Sequence, residues 1–571
     1  MVSKEQIDAA RGLVPCDVNY VNCRVVDLLA GRIRKNAIVS VYKGAVVGLD
    51  DGLSARTEID LGGRFLAPGF IDAHVHIESS LLSPAEYSGL VLPRGTTAVV
   101  ADPHEIVNVL GYDGMNYMLR ASEGIPLDVY LMAPSCVPAT GFDTSGAELY
   151  ASDMYQFLRN PRVLGLGEVM NFPGVLGKDP QLLDKIALFW DSHKAVDGHA
   201  PQLSGRDLSA YIASGIRSDH ECSTAEEALE KISKGMVVMI REGSASRDLE
   251  RLLPAVNPRT APRFLLCSDD RHPTDLFEEG HIDRSVRMLI RGGVEPLDAL
   301  AMASLNAARY FGLRTSGAVA PGRAADFVVF SDLNEPMIEA VVKNGELAAE
   351  NGSMLLPVRG GTAMLRDSVN IKWLTEDDFK IPALGNKIRV IEAREHSLIT
   401  GELLTEPTVE SGYCVADLSR DILKLFVVER HKGSGNIGKG FIRGLGLKRG
   451  AIGSTISHDS HNMIITGTDD VSIFKAARHL NKIGGGLVVT DRDSVVLDLP
   501  LPIAGLMSDR GAAWVIERLA AFDEYFRKEG LSNASPLMTL SFMALPVIPK
   551  LKLTDRGLVD VERFTPVELF A

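Results

Sequence analysis

Eight short apolar runs rich in β-branched residues follow one another between residues 64 and 270, with helical segments in the gaps. In order they are RFLAPGFIDAHVH, TTAVVADPHE, LDVYLMAPS, VLGLGEVMN, AVDGHA, GIRSDHE, VVMIREG and RFLLCSDD. Strands joined by helical crossovers return in the same direction, so this alternation predicts a parallel sheet. Eight strands are enough for such a sheet to close into a (β/α)8 barrel of about 250 residues. The predicted class is therefore α/β, with a TIM barrel over residues 67–316.

The flanks read differently. NCRVVDLLAGRI and NAIVSVYKGAVVGLD, near the start, alternate short β-branched runs with Gly and Asp turns, as do GAVAPGRAADFVVFSD and IEAVVKNGELAAENG much later. Residues 1–66 and 317–365 are expected to pair into one small β domain flanking the barrel. From residue 366 to 571 the pattern becomes mixed, predicting an additional C-terminal α+β domain. Its glycine clusters, GKGFIRGLGLKRG and NKIGGGLVVTD, lack the spacing of a phosphate-binding loop.

Composition narrows the function. A formal net charge of -14 disfavours nucleic acid and anionic membranes, which select basic patches, and favours a small neutral substrate. The six cysteines contain no C-x-x-C pair, which predicts reduced thiols in a cytoplasmic protein. The N-terminus reads as a short polar helix without the apolar centre of a signal peptide, and no apolar stretch is long enough to cross a bilayer. Apolar residues in the C-terminal part suit a homodimer.

Most of the eight runs end in ionisable residues: His74 and His76; Asp102, His104 and Glu105; Glu168; His199; His220; Arg241 and Glu242; Asp269 and Asp270. In a parallel barrel all strand C-termini open onto one face, so these side chains converge. His74 and His76, two apart on a strand, point to the same side and can share one divalent cation, or can be a hydrogen-bonded pair. Four histidines with Glu168 and Asp269 can hold two first-row metal ions if one carboxylate bridges them.

These motifs resemble the amidohydrolase superfamily of distorted (β/α)8 barrels and, within it, the adenine deaminase family. The resemblance to the latter rests on PGFIDAHVHIESS, VVADPHEI, GLGEVMNFPGV, DGHAP, SDHE, REGS and CSDDRHP, and extends to GLKRGAIGSTISHDSHN in the tail. It implies that His74, His76, Glu168, His199, His220 and Asp269 are metal ligands, with Glu168 where other members carry a lysine. The implied cofactor is a pair of divalent ions, Mn or Fe rather than Zn. The implied reaction is attack of an ionised water on C6 of adenine, with Asp269 carrying its proton to the departing amine.

Attack also pushes charge onto the ring nitrogen N1, and Glu105 or His104 is the expected acid there, with Asp102 either orienting the pair or adding to the metal site. Arg241 and Glu242 are expected either to touch the purine or to brace the mouth; Asp270 and His272 are expected to support Asp269. Ser79 and Ser80 read as caps of the next helix. The tail motif SHDSHN, with His458, Asp459, His461 and Asn462, reads as another metal site or a loop over the mouth. Rival readings are a related amidohydrolase acting on another aminopurine or a cyclic amide, and a metal-binding scaffold without activity.

Overall fold

The computed structural model describes residues 3–358, 365–394, 397–531, 533 and 535–571. The barrel strands are β1 (Phe70–Val75), β2 (Thr96–Ala101), β3 (Asp128–Ala133), β4 (Val163–Val169), β5 (Ala195–Gly198), β6 (Ser218–Asp219), β7 (Val237–Arg241) and β8 (Phe264–Cys267). They form two parallel arcs, β5-β4-β3-β2-β1 and β6-β7-β8. The arcs meet at both seams: the Arg217 N–H donates to Val196 O at 3.0 Å, and the Asp269 N–H donates to His74 O at 3.0 Å. Every residue of β1 and β2 is buried, as expected of parallel strands covered on both faces.

Ile71, Ala73, Ala98, Val100, Met132, Met239, Leu265 and Cys267 pack into one apolar cluster. Between Asp72↔Val99 and Val75↔Ala101 the β1 ladder carries one residue more than β2, a bulge. This slip separates the apolar Ile71 and Ala73 from His74 and His76, which gather at the mouth.

The first of the eight runs is two strands rather than one. Phe65–Pro68 pairs antiparallel with Phe327–Phe330, and the barrel begins only at Phe70. At the hinge, a Cβ on Gly69 would lie 2.2 Å from Thr97 Oγ1, so only glycine lets the chain pass there. Phe65–Pro68 belongs to a nine-stranded sheet that joins strands between Cys16 and Asp60 to four between Phe327 and Met354. The helix at the N-terminus spans Lys4–Ala10. Residues 359–364, at the end of the predicted small β domain, lie outside the described residues.

The C-terminal part is built on an eight-stranded sheet of β9 (Ile388–Arg394), β10 (Ser397–Thr405), β11 (Ile422–Val428), β12 (Ile437–Arg443), β13 (Ala451–Ser454), β14 (Met463–Gly467), β15 (Gly486–Asp491) and β16 (Ser494–Pro500), in the order β10-β9-β12-β11-β14-β13-β15-β16. One continuous apolar core runs from barrel residues such as Val75, Ile106 and Leu131 into this part through Leu425, Ile464, Leu506 and Phe522. Backbone bonds also cross, including Ser508 N–H to Leu81 O at 2.8 Å. The loop between β13 and β14 carries SHDSHN and lies over the barrel mouth. All six cysteines are buried and unpaired. Among the described residues, no helix is long and apolar enough to cross a membrane.

Candidate metal centre and active site

The mouth of the barrel brings His74, His76, Glu168, His199, His220 and Asp269 together. His74 Nε2 and His76 Nε2 stand 3.1 Å apart, and Asp269 Oδ1 lies 3.4 Å from the first and 3.1 Å from the second. Glu168 lies across the cluster: its Oε1 is 3.2 Å from His76 Nε2, and its Oε2 is 2.6 Å from His199 Nδ1 and 3.3 Å from His220 Nε2. Two overlapping donor groups result, His74–His76–Asp269 and His74–Glu168–His220.

The backbone sets these positions. Asp269 adopts a left-handed conformation, φ 56°, two residues past the end of β8. His76 Nδ1 donates to Asp102 O at 2.8 Å, which turns its Nε2 toward Glu168 and Asp269. Burial and the neighbouring His220 push His74 down to about 4, so that ring is neutral near pH 7. Burial opposes ionisation of Glu168 and Asp269, yet the surrounding imidazoles hold Glu168 well below the usual carboxylate range, and His74, His76 and Arg241 do the same for Asp269. Burial opposes protonation of His76, His199 and His220, yet the carboxylates facing them raise all three, His220 to about 9, so the cluster draws positive charge in among its anionic oxygens. Imidazole nitrogens and carboxylate oxygens are the donors that divalent first-row metals take, so the residues fit a pair of such ions.

The remaining predicted residues divide. Asp102 holds the frame: its Oδ2 accepts the Glu168 N–H at 2.9 Å. His104 lies inside the cluster, with Nδ1 3.6 Å from Glu168 Oε1 and Nε2 3.4 Å from Glu105 Oε1. Arg241 donates to Asp269 Oδ2 at 3.2 Å and also pairs with Asp248 and Glu221. Glu242 turns to protein groups instead, accepting from Leu249 N–H at 3.0 Å and from Arg284 at 2.6 Å. Asp270 accepts the Ser79 hydroxyl, and His272 precedes the helix Pro273–Glu278. Ser79 and Ser80 do not cap the next helix; they sit in a 3-10 turn, Ile77–Ser80, and Ser83 caps Pro84–Val91.

Three residues were not singled out from sequence. Glu221 lies 3.6 Å from His220 Nε2 and 3.8 Å from His199 Nδ1; its place beside His220 in SDHE was the available signal. Asp248 anchors Arg241, and no motif marked it. Glu78, buried in HIESS, accepts the Ile106 N–H at 3.2 Å, and burial pushes its carboxyl up to about 7. The tail motif reaches Glu105 itself: His458 Nδ1 bonds to Oε1 and His461 Nε2 to Oε2.

Residues 65–348 match the amidohydrolase family, and residues 397–565 match the adenine deaminase C-terminal domain. An adenine deaminase from Desulfatibacillum aliphaticivorans is 46% identical over 575 aligned residues, covering 100% of each chain. Adenine deaminase 2 from Carboxydothermus hydrogenoformans is 47% identical, covering 99% of each. An adenine deaminase from Nitratidesulfovibrio vulgaris strain DP4 is 48% identical, covering 98% of this chain and 97% of its own. With a barrel whose mouth gathers these donors and relatives that match it from end to end, the chain belongs to the adenine deaminase family of the amidohydrolases.

Proposed function

We propose that the chain hydrolyses adenine to hypoxanthine and ammonia. The observation that carries this reading is the convergence of His74, His76, Glu168, His199, His220 and Asp269, drawn from five strand ends, in a chain whose full-length relatives bear the name adenine deaminase. Those six residues would hold two divalent cations, Mn or Fe, which when bound supply the positive charge that lets water ionise near neutral pH.

The protein's own groups do the rest. Asp269 takes one proton from water as its oxygen bonds to C6 and the C6–N1 π pair moves onto N1. The C6–N6 bond then breaks, and the leaving amine departs as ammonia with the proton that Asp269 carried. Arg241, 3.2 Å from Asp269 Oδ2, keeps that carboxylate ionised and ready to accept. Asp102 and the backbone of β1 and β4 hold the donors in place, so little reorganisation is needed during reaction. A neighbouring reading, hydrolysis of another aminopurine or a cyclic amide, is separated by the same test.

The test is an adenine assay on manganese-reconstituted protein, followed by the absorbance change to hypoxanthine, with metal content measured on the same sample. Rapid ammonia release at two equivalents of metal supports the reading. Full metal without adenine turnover overturns it.

A further inference from the structure

Glu105 is enclosed in a way that its expected part as an acid does not explain. The Ser457 N–H donates to His461 Nδ1 at 3.1 Å, so Nδ1 is an acceptor and the ring proton of His461 sits on Nε2, pointing at Glu105 Oε2. His458 donates Nδ1–H to the other oxygen. With His104 Nε2 also 3.4 Å from Oε1, three imidazoles surround one carboxylate. Burial raises it, but His458, His461 and His104 together hold it well below the ordinary range. A carboxylate so placed keeps its charge and has no proton to give.

The charge is directed instead to His458. Its ring stacks on Phe542, with centroids 4.5 Å apart and planes at 11°, which fixes its orientation. The groups facing it are the carboxylates of Glu105, Asp270 and Asp459 and the imidazoles of His461 and His272, an acidic majority. Burial alone would lower it, yet these acids lift it to about 9. Its Nε2 makes no hydrogen bond within the protein among the described residues. Asp270, beside Asp269 in the chain, feels the charge both of His76 in the donor cluster and of His458 in the tail, so the tail imidazole and the donor cluster act on one carboxylate.

The loop that presents it is locked from several directions. Ser460 donates to Asp143, Asn462 Nδ2 donates to Thr144 O at 2.8 Å, and His431 Nε2 donates to Ser460 O at 2.7 Å. The buried Arg430 donates to His461 O. A loop held this tightly is built for a fixed side chain rather than for a covering flap.

We infer that His458, carried by the C-terminal part, is a catalytic residue whose Nε2–H meets the heterocycle, and that Glu105 and His461 are its positioning residues. The inference rests on the adenine-hydrolysing reading above. As the C6–N1 π pair moves onto N1, N1 takes the Nε2 proton and His458 becomes neutral. When the C6 hydroxyl becomes the carbonyl of hypoxanthine, the proton it loses returns to His458 through solvent. N1 keeps its hydrogen in the product, and the sum remains adenine plus water giving hypoxanthine plus ammonia.

His458→Asn tests this, because an asparagine amide can imitate Nδ1–H toward Glu105 but offers nothing where Nε2 was; His458→Gln restores a donor near the Nε2 position. With metal content measured throughout, His458→Asn is expected to lower kcat on adenine at least about 100-fold, the usual scale of general acid catalysis, and to erase the alkaline limb of the kcat–pH profile. Hypoxanthine affinity, read by calorimetry, should fall about tenfold in His458→Asn and recover in His458→Gln. A kcat within threefold of wild type overturns the assignment. So does a third metal equivalent in the wild type that the variant lacks, since that would make Glu105, His458 and His461 ligands. Absence of adenine turnover by the wild type would count against the function proposed above; unchanged hypoxanthine affinity in His458→Asn would then overturn this inference by itself.

Discussion

Gly167 shows how closely single residues set this site. A Cβ there would fall 2.0 Å from Asp102 Oδ2, the atom that accepts the Glu168 N–H. Gly167→Ala must displace one carboxylate or the other, and a loss of about 1–3 kcal/mol is expected from overpacking, together with lower metal retention. Thermal unfolding and elemental analysis of the variant check both. Glu105→Gln belongs to the same scale: with its charge gone, turnover should fall about 100-fold or more while metal content holds. Normal turnover would remove Glu105 from the mechanism. The residue types of the donor set were legible because His-x-His and strand-end acids are rare combinations. What Asp248 and Glu242 do was not legible, since an acid beside a barrel strand looks the same whether it faces Arg241 or Arg284.

At the level of elements, the strand Leu551–Thr554 carries a lysine that no local pattern marks. Among the described residues Lys552 is buried without a carboxylate partner, donating to Leu398 O and Phe542 O, each at 3.0 Å, and burial pushes it down to about 7. In the unfolded chain its value is about 10.4. Between those values the unfolded state binds more protons, so folding stability rises as pH climbs from 7 toward 10, and the cost is fully present below 7. Lys552→Met should flatten this dependence, as denaturant midpoints across that range would show; an unchanged slope would mean the amine is not neutral in the fold. Barrel strands were readable because each is a short apolar run closed by a polar cluster. The split of the first run at Gly69 and the 3-10 turn at Ser79 and Ser80 were not, since both depend on neighbours distant in sequence, Thr97 for one and Asp270 for the other.

For the whole molecule, the two halves share one core and one site. The barrel supplies the six-residue donor cluster, and the β13–β14 loop closes on Glu105. The tail motif was visible in the sequence as SHDSHN, but its destination was set by the packing of two sheets, which no local pattern encodes. Because bound cations stabilise only the folded state, their removal by a chelator should lower the melting temperature by several degrees and manganese should restore it. Scanning calorimetry reads this directly. Titrating metal-free protein with manganese while following hypoxanthine formation shows whether the six side chains at the barrel mouth hold the cations that make adenine hydrolysis possible. Activity should rise to a plateau at two equivalents per chain and stay absent in His74→Ala. Undiminished turnover in the metal-free protein, or in that variant, would mean that these side chains hold no cation the reaction needs.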